Sequence, residues 1–317
     1  DSYATIQSAL DSLATNLSTD TCVVIRDTET YSEQVTVQGF TNNGYQLKIM
    51  ADPTFVSSAP VVNPPAGATA GFQISNASVT LQNITVITTN TVSYGVQASA
   101  SHVTISSVNI DSGGNITVAG ISLQGYSSVA DSSVTVQAAN GIELGGSNNA
   151  VSYSIAVAGN AANVALSLNS SSANVITQNF ITNSLGRALN LDASHNNTIS
   201  YSTITASAAD VIALHLLNSS SNTITQNYIS NPAGVGLLFN TASSNTVSYS
   251  TIIADNATNS AMNLGVSTFN TLTQNYISNL SGTALSISND SNSNTVSYST
   301  ITSASTSNAF SIGSSSA

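Results

Sequence analysis

Arg187, Asp192 and His215 are the residues of this sequence whose types and spacing best suit catalysis. Arg187 is the only Lys or Arg beyond Lys48, and a cation close to a carboxylate and an imidazole is a set that moves protons. In "RALNLD" (187–192) Leu189 and Leu191 alternate with polar residues, so they share one face of a strand and Asn190 takes the other. The matching outward place in the following repeat is His215. Two facts weigh against the set. Arg187 and Asp192 flank a strand of a few residues and can lie at opposite corners. The positions that match Asp192 read Asn169, Leu217 and Asn240, so the second carboxylate of a glycoside hydrolase is missing. Scattered surface polar residues are the simpler reading.

Metal chemistry finds less support. His102, His195 and His215 fall in different repeats and make no metal constellation, the acidic residues lack a dense calcium spacing, and no metal or cofactor is implied. Glu29 and Glu33, four apart in "DTETYSEQV", share a strand face and read as solvated residues. Cys22, the one cysteine, rules out a disulfide within the chain and reads as a small buried hydrophobe in "TCVVIRD".

A second set could bind rather than react. Tyr153, Tyr201, Tyr249 and Tyr298 occupy one repeat position, alternating with Gln178, Gln226 and Gln274. Phe180, Tyr228 and Tyr276 occupy another, alternating with Thr203, Thr251 and Thr300. Exposed, these rings would form apolar plates with hydroxyl tips that stack on sugars. The alternative is that they cover corners of the core. Thr198/Ser200, Thr223/Thr225, Thr246/Ser248, Thr271/Thr273 and Thr295/Ser297 form a third, outward hydroxyl pattern, which resembles an ice-binding array; Thr is also an ordinary strand residue.

The elements that position these residues follow from an internal repeat. An Asn opens each phrase at 149, 174, 197, 222, 245, 270 and 294, at intervals of 25, 23, 25, 23, 25 and 24 residues. "NTVSYSTI" (245–252 and 294–301) alternates with phrases such as "NTITQNYISN" (222–231), so the duplicated unit is about 48 residues. Aliphatics recur two and about seven places after each Asn, and a further alternating pair precedes it, such as Leu214/Leu216. Short alternating strands, a fixed period and no helix between them predict a parallel β-solenoid. About twelve coils with two or three strands each are expected, as an all-β, right-handed parallel β-helix. In 4–17, Ile6, Leu10, Leu13 and Leu17 recur at helical spacing, so residues 1–20 are expected as an N-terminal capping helix. Irregular first coils follow over 21–75, with four of the five prolines at 53–65, and regular coils over 76–317. The whole is expected to be one β-helix domain. "NAFSIGSSSA" starts another strand and stops, which suggests truncation, further domains or end-to-end stacking on an open edge.

Composition narrows the function classes. Only 5% of residues are charged and Lys plus Arg number 3, so a nucleic-acid footprint is absent. No apolar stretch is long enough to span a membrane. The opening on Asp1 reads as a processed or excised piece, and the Ser/Thr/Asn-rich surface suggests export.

Particular phrases carry a family resemblance. "ATIQSALDSL", "VVIRDTETYSEQVTV" and "GFQISNASVTLQNITV" resemble the entry of pectin-lyase-like right-handed β-helix proteins. "NTITQNYISN…GVGLLFNTASSNTVSYSTI" resembles the NosD-like and carbohydrate-binding/sugar-hydrolase repeats. The resemblance implies the β-helix fold across nearly the whole chain. For activity it implies lyases, hydrolases and epimerases as much as surface proteins and phage fibres. The expectation is a non-catalytic extracellular or cell-surface protein, structural or adhesive, that binds a polysaccharide or surface glycan along its polar-aromatic face. A polysaccharide lyase or hydrolase with its site near Arg187 is the competing class, and an ice-binding protein a lesser one.

Overall fold

Period-2 alternation organises the chain as expected. In a computed structural model, which describes residues 2–304 and 307–313, the chain is an all-β parallel β-solenoid with one short helix. Each coil contributes one strand to each of three parallel sheets. The residues divide into two compact units, 1–155 and 156–317.

The first unit begins with helix Ile6–Asp11. Thr5 caps it through a capping box with Ser8, and the two carboxylate oxygens of Glu33 accept the N–H groups of Ile6 and Gln7 at 2.8 and 3.0 Å. Glu33 is therefore not simply solvated: a carboxylate satisfies the orphan donors of the first turn. The helix stops well short of residue 20. Leu17 is buried, but its N–H bonds to Thr41 O beside the isolated bridge Asn16–Thr41. Ser12, Thr15 and Asn16 favour non-helical backbone, so the helical spacing of the leucines outlasts the helix.

Cys22 also departs from expectation. In strand Thr21–Ile25 the inward places go to Val23 and Ile25, and Cys22 is exposed, paired in register with Lys48. The proline-rich segment contributes only the two-residue strand Val61–Val62, because Pro cannot donate to a ladder.

In the second unit the repeat is regular. The first sheet carries Ile176, Ile199, Ile224, Val247 and Leu272 inward, the second carries Ile181, Ile204, Ile229, Ile252 and Ile277, and all are fully buried. The third sheet supplies pairs such as Leu189/Leu191 and Leu214/Leu216, in register. Phe310–Ile312 is the last described strand and pairs with Leu285–Ile287; residues 314–317 of the closing phrase lie outside the described residues.

Buried side-chain ladders also join the coils. The opening Asn of each coil takes both the N–H and the side-chain N–H of the preceding one. Asn222 Oδ1 accepts from Asn197 N and Nδ2 at 2.8 and 3.0 Å, and Asn245 Oδ1 accepts from Asn222 in the same way. A second ladder alternates Ser and Asn: Asn179 N–H donates to Ser202 Oγ, Ser202 N–H to Asn227 Oδ1, and Asn227 N–H to Ser250 Oγ. These bonds satisfy the backbone where the chain leaves one sheet for the next.

Candidate functional site

The aromatic positions of the second unit lie on either side of one corner. The residue four after each opening Asn adopts the left-handed conformation in every coil, whether Gln178, Tyr201, Gln226, Tyr249, Gln274 or Tyr298, with φ between 50° and 57°. A left-handed residue turns the chain sharply from the first sheet into the second, and its N–H bonds to the neighbouring coil, as Tyr249 N does to Thr273 O at 3.3 Å. Glycine or asparagine adopts this conformation most readily; for tyrosine it costs about 1 kcal/mol. Little burial offsets that cost, since Tyr201 and Tyr249 are each 58% exposed and Tyr298 more so. Tyr153, in the first unit, has the same conformation and exposure.

Two residues further on, the first residue of each second-sheet strand points outward. Phe180, Thr203, Tyr228, Thr251, Tyr276 and Thr300 stand in register, and the three rings are 43–44% exposed. The two files are out of phase. A coil with Gln at its corner has an aromatic on its strand, and a coil with Tyr at its corner has Thr there. Every coil from Asn174 to Tyr298 thus presents one ring and one polar side chain, and the result is a checkerboard.

The hydroxyl rows behave differently. Ser200 Oγ donates to Thr177 Oγ1, Ser248 to Thr225 and Ser297 to Thr273, at 2.9–3.1 Å. The coils therefore associate in doublets through these bonds, and part of the hydroxyl array is committed to itself rather than to water.

Arg187, Asp192 and His215 occupy three different settings. Asn190 and His215 are register partners, as the alternation predicts, and Asn190 Oδ1 lies 3.1 Å from His215 Nδ1. Yet His215 is only 4% exposed. Burial, with the Arg187 guanidinium second, depresses its pKa to about 4, so the imidazole is neutral near pH 7. Arg187 is exposed and opens on a hollow of about 220 Å³ that Asp210, Asn163 and Gly186 also line. Asp192 is half-exposed at the end of its strand, and its partner in the next coil is Leu217 rather than His215. Asp210, the carboxylate that does share the Arg187 hollow, lies on the loop leading to the next third-sheet strand. Sequence alignment of coils could not single it out, because that loop varies in length.

The other histidines have structural partners. His102 stacks on Tyr126, centroids 5.3 Å apart and planes 7° off parallel. His195 Nδ1 accepts the Ser220 N–H at 3.0 Å. Among the described residues no three of His, Cys, Asp and Glu come together as a metal site would require.

Comparison with known proteins agrees with the fold. The family model described as "Periplasmic copper-binding protein (NosD)" matches residues 48–235, and the model "Right handed beta helix region" matches 164–317. No curated protein matches the sequence. Among solved structures, the Dettilon tailspike protein aligns with TM-score 0.74 at 15% identity, over 91% of this chain and 61% of the tailspike chain, so this chain spans less than two thirds of it. DFA-IIIase from Arthrobacter chlorophenolicus A6 in complex with DFA-III aligns with TM-score 0.63 at 11% identity, over 86% and 84% of the two chains. The mannuronan C-5 epimerase AlgE6 A-module of Azotobacter vinelandii aligns with TM-score 0.54 at 13% identity, over 98% and 94%. At these identities the likeness is one of fold.

Proposed function

We propose, from the premise that this chain belongs to the NosD family of right-handed β-helix proteins, that it is an exported, non-catalytic saccharide-binding protein. Its binding surface is the aromatic checkerboard between Gln178 and Thr300. One observation carries this reading: at a corner that is left-handed in every coil, every second coil places a tyrosine whose ring stands exposed and gains little packing. A large apolar ring kept in water at a repeated position points to use. Two similar structures, a mannuronan epimerase and a DFA-IIIase holding DFA-III, support the saccharide part of this reading. The family's periplasmic description agrees with export, and no helix among the described residues is long and apolar enough to cross a membrane.

The family description also names copper, and the side chains here do not fit it. Copper takes thiolate, thioether or imidazole ligands in a tight set. Cys22 and Met50 face outward on paired strands of the first unit, where Cys22 stands opposite Lys48 and Met50 opposite Val24; Met262 is buried among core aliphatics, and the three imidazoles are stacked, bonded or buried apart.

An enzymatic reading places the reaction at Arg187, where a cation and the Asp210 carboxylate share a hollow. An oligosaccharide array separates the two. The binding reading expects saccharide capture that Tyr201→Ala with Tyr249→Ala abolishes, with no product formed on prolonged incubation. Turnover lost on Arg187→Ala would overturn it.

A further inference from the structure

We infer that the checkerboard takes an uncharged, extended glycan of equatorially linked sugars, laid along the stacking direction of the coils with about one sugar per coil. This rests on the saccharide-binding reading above and specifies its ligand.

Charge narrows the class first. Arg187 is the only Lys or Arg between residues 156 and 317, and it stands on the loop side of the coil, in neither aromatic file. A polyuronate or sulfated chain laid across several coils would find no cation at either file, and four carboxylates, Asp192, Asp210, Asp255 and Asp290, give the unit an opposing sign. The polar partners on the checkerboard are neutral: the amides of Gln178, Gln226 and Gln274 and the hydroxyls of Thr203, Thr251 and Thr300. Amides and hydroxyls both donate and accept, which suits sugar hydroxyls.

Spacing narrows it further. Coils are one strand apart, about 4.8 Å, so rings within one file recur at about 9.6 Å. The second file is displaced by one coil, so rings alternate from side to side at each step. An extended chain of equatorially linked hexoses repeats every two sugars, as the files repeat every two coils. Each sugar is turned half a revolution about the chain axis, and its axial C–H groups make both ring faces apolar, so every sugar can lay a C–H face on this surface. Tyr201, Tyr249 and Tyr298 would meet that face on alternate sugars, and Phe180, Tyr228 and Tyr276 on the sugars between. A helical, axially linked glycan such as amylose turns away from a straight file after a few residues.

The test is calorimetric titration of the intact chain with cellohexaose, chitohexaose and mannohexaose, against maltohexaose and hexamers of galacturonate and mannuronate. At least one of the first three is expected to bind at least tenfold more tightly than the last three. Affinity should rise with length up to about six sugars, and Tyr228→Ala and Tyr249→Ala should each weaken it at least tenfold with unchanged melting. Equal or tighter binding of maltohexaose or of the uronates, with the same dependence on Tyr228 and Tyr249, overturns the inferred ligand and leaves saccharide binding at this face standing. No binding of any hexamer, or binding indifferent to both tyrosines, overturns the saccharide-binding reading and this inference with it.

Discussion

Asn222 Nδ2 donates to Asn245 Oδ1 at 3.0 Å in an interior where both residues are almost wholly buried. Asn222 also receives two bonds from Asn197 and gives one to Ser194 O. Asn222→Ala strands the Asn197 donors in a dry place and should cost about 3 kcal/mol. Asn294→Ala, at the half-buried end of the same ladder, should cost about 1 kcal/mol. Asn222→Asp should be worse at pH 7 than at pH 4, because the ionised form cannot donate to Asn245. Urea midpoints of the three variants check the order.

Gly234, in the turn after a second-sheet strand, and Gly265, at the end of a third-sheet strand, should respond very differently to substitution. A Cβ at Gly234 would stand 2.3 Å from Val211 O and 2.5 Å from Asn231 Nδ2, whereas one at Gly265 would meet nothing nearer than 3.8 Å. Asn231 itself clamps the neighbouring turn through Ala208 O and Val211 O. Gly234→Ala should therefore cost about 2 kcal/mol or more, and Gly265→Ala close to none. Thermal melts of the pair decide it.

His215 makes stability depend on pH. Its folded pKa, about 4, lies below its ordinary value of 6.5, so the unfolded chain binds a proton that the folded chain refuses. The stability is present in full above pH 6.5 and is lost as the pH falls toward 4, by on the order of 3 kcal/mol. His215→Leu, which copies Leu238 in the next coil, should flatten that slope. Urea melts between pH 4 and 7 measure it.

Tyr249 separates stability from binding. Tyr249→Asn keeps a residue suited to the left-handed corner and should leave the fold unchanged or more stable by up to about 1 kcal/mol. Saccharide affinity should fall at least tenfold. A variant that loses both together would mean that the ring seals the core instead.

Much of the architecture was written in the spacing of aliphatics. Ile199, Ile224 and Val247 lie in one column because period and alternation leave them no other place, and the pairing of Asn190 with His215 follows from the same register. What spacing could not convey was exposure and backbone sign. Asn190 and His215 alternate outward and are still buried, because alternation fixes a face and not what covers it. Nothing in the residue type of Tyr249 announces a positive φ; the turn geometry imposes it. Glu33 bonds the helix across more than twenty residues, and Asp210 reaches the Arg187 hollow from a loop of variable length. Neither distance is encoded in a repeat.

The half-step offset of the two aromatic files also limits how such a chain can change its length. Removing one coil would keep the aliphatic column and the amide ladder continuous, yet set two like coils side by side and leave a gap in the ring pattern. Removing two coils, the 48 residues from Asn197 to Ser244 for instance, would restore the core, the Ser–Thr doublets and the pattern together. Length variants that keep saccharide binding at this face should therefore differ by even numbers of coils: a face of this kind would work as a ruler with a two-coil division.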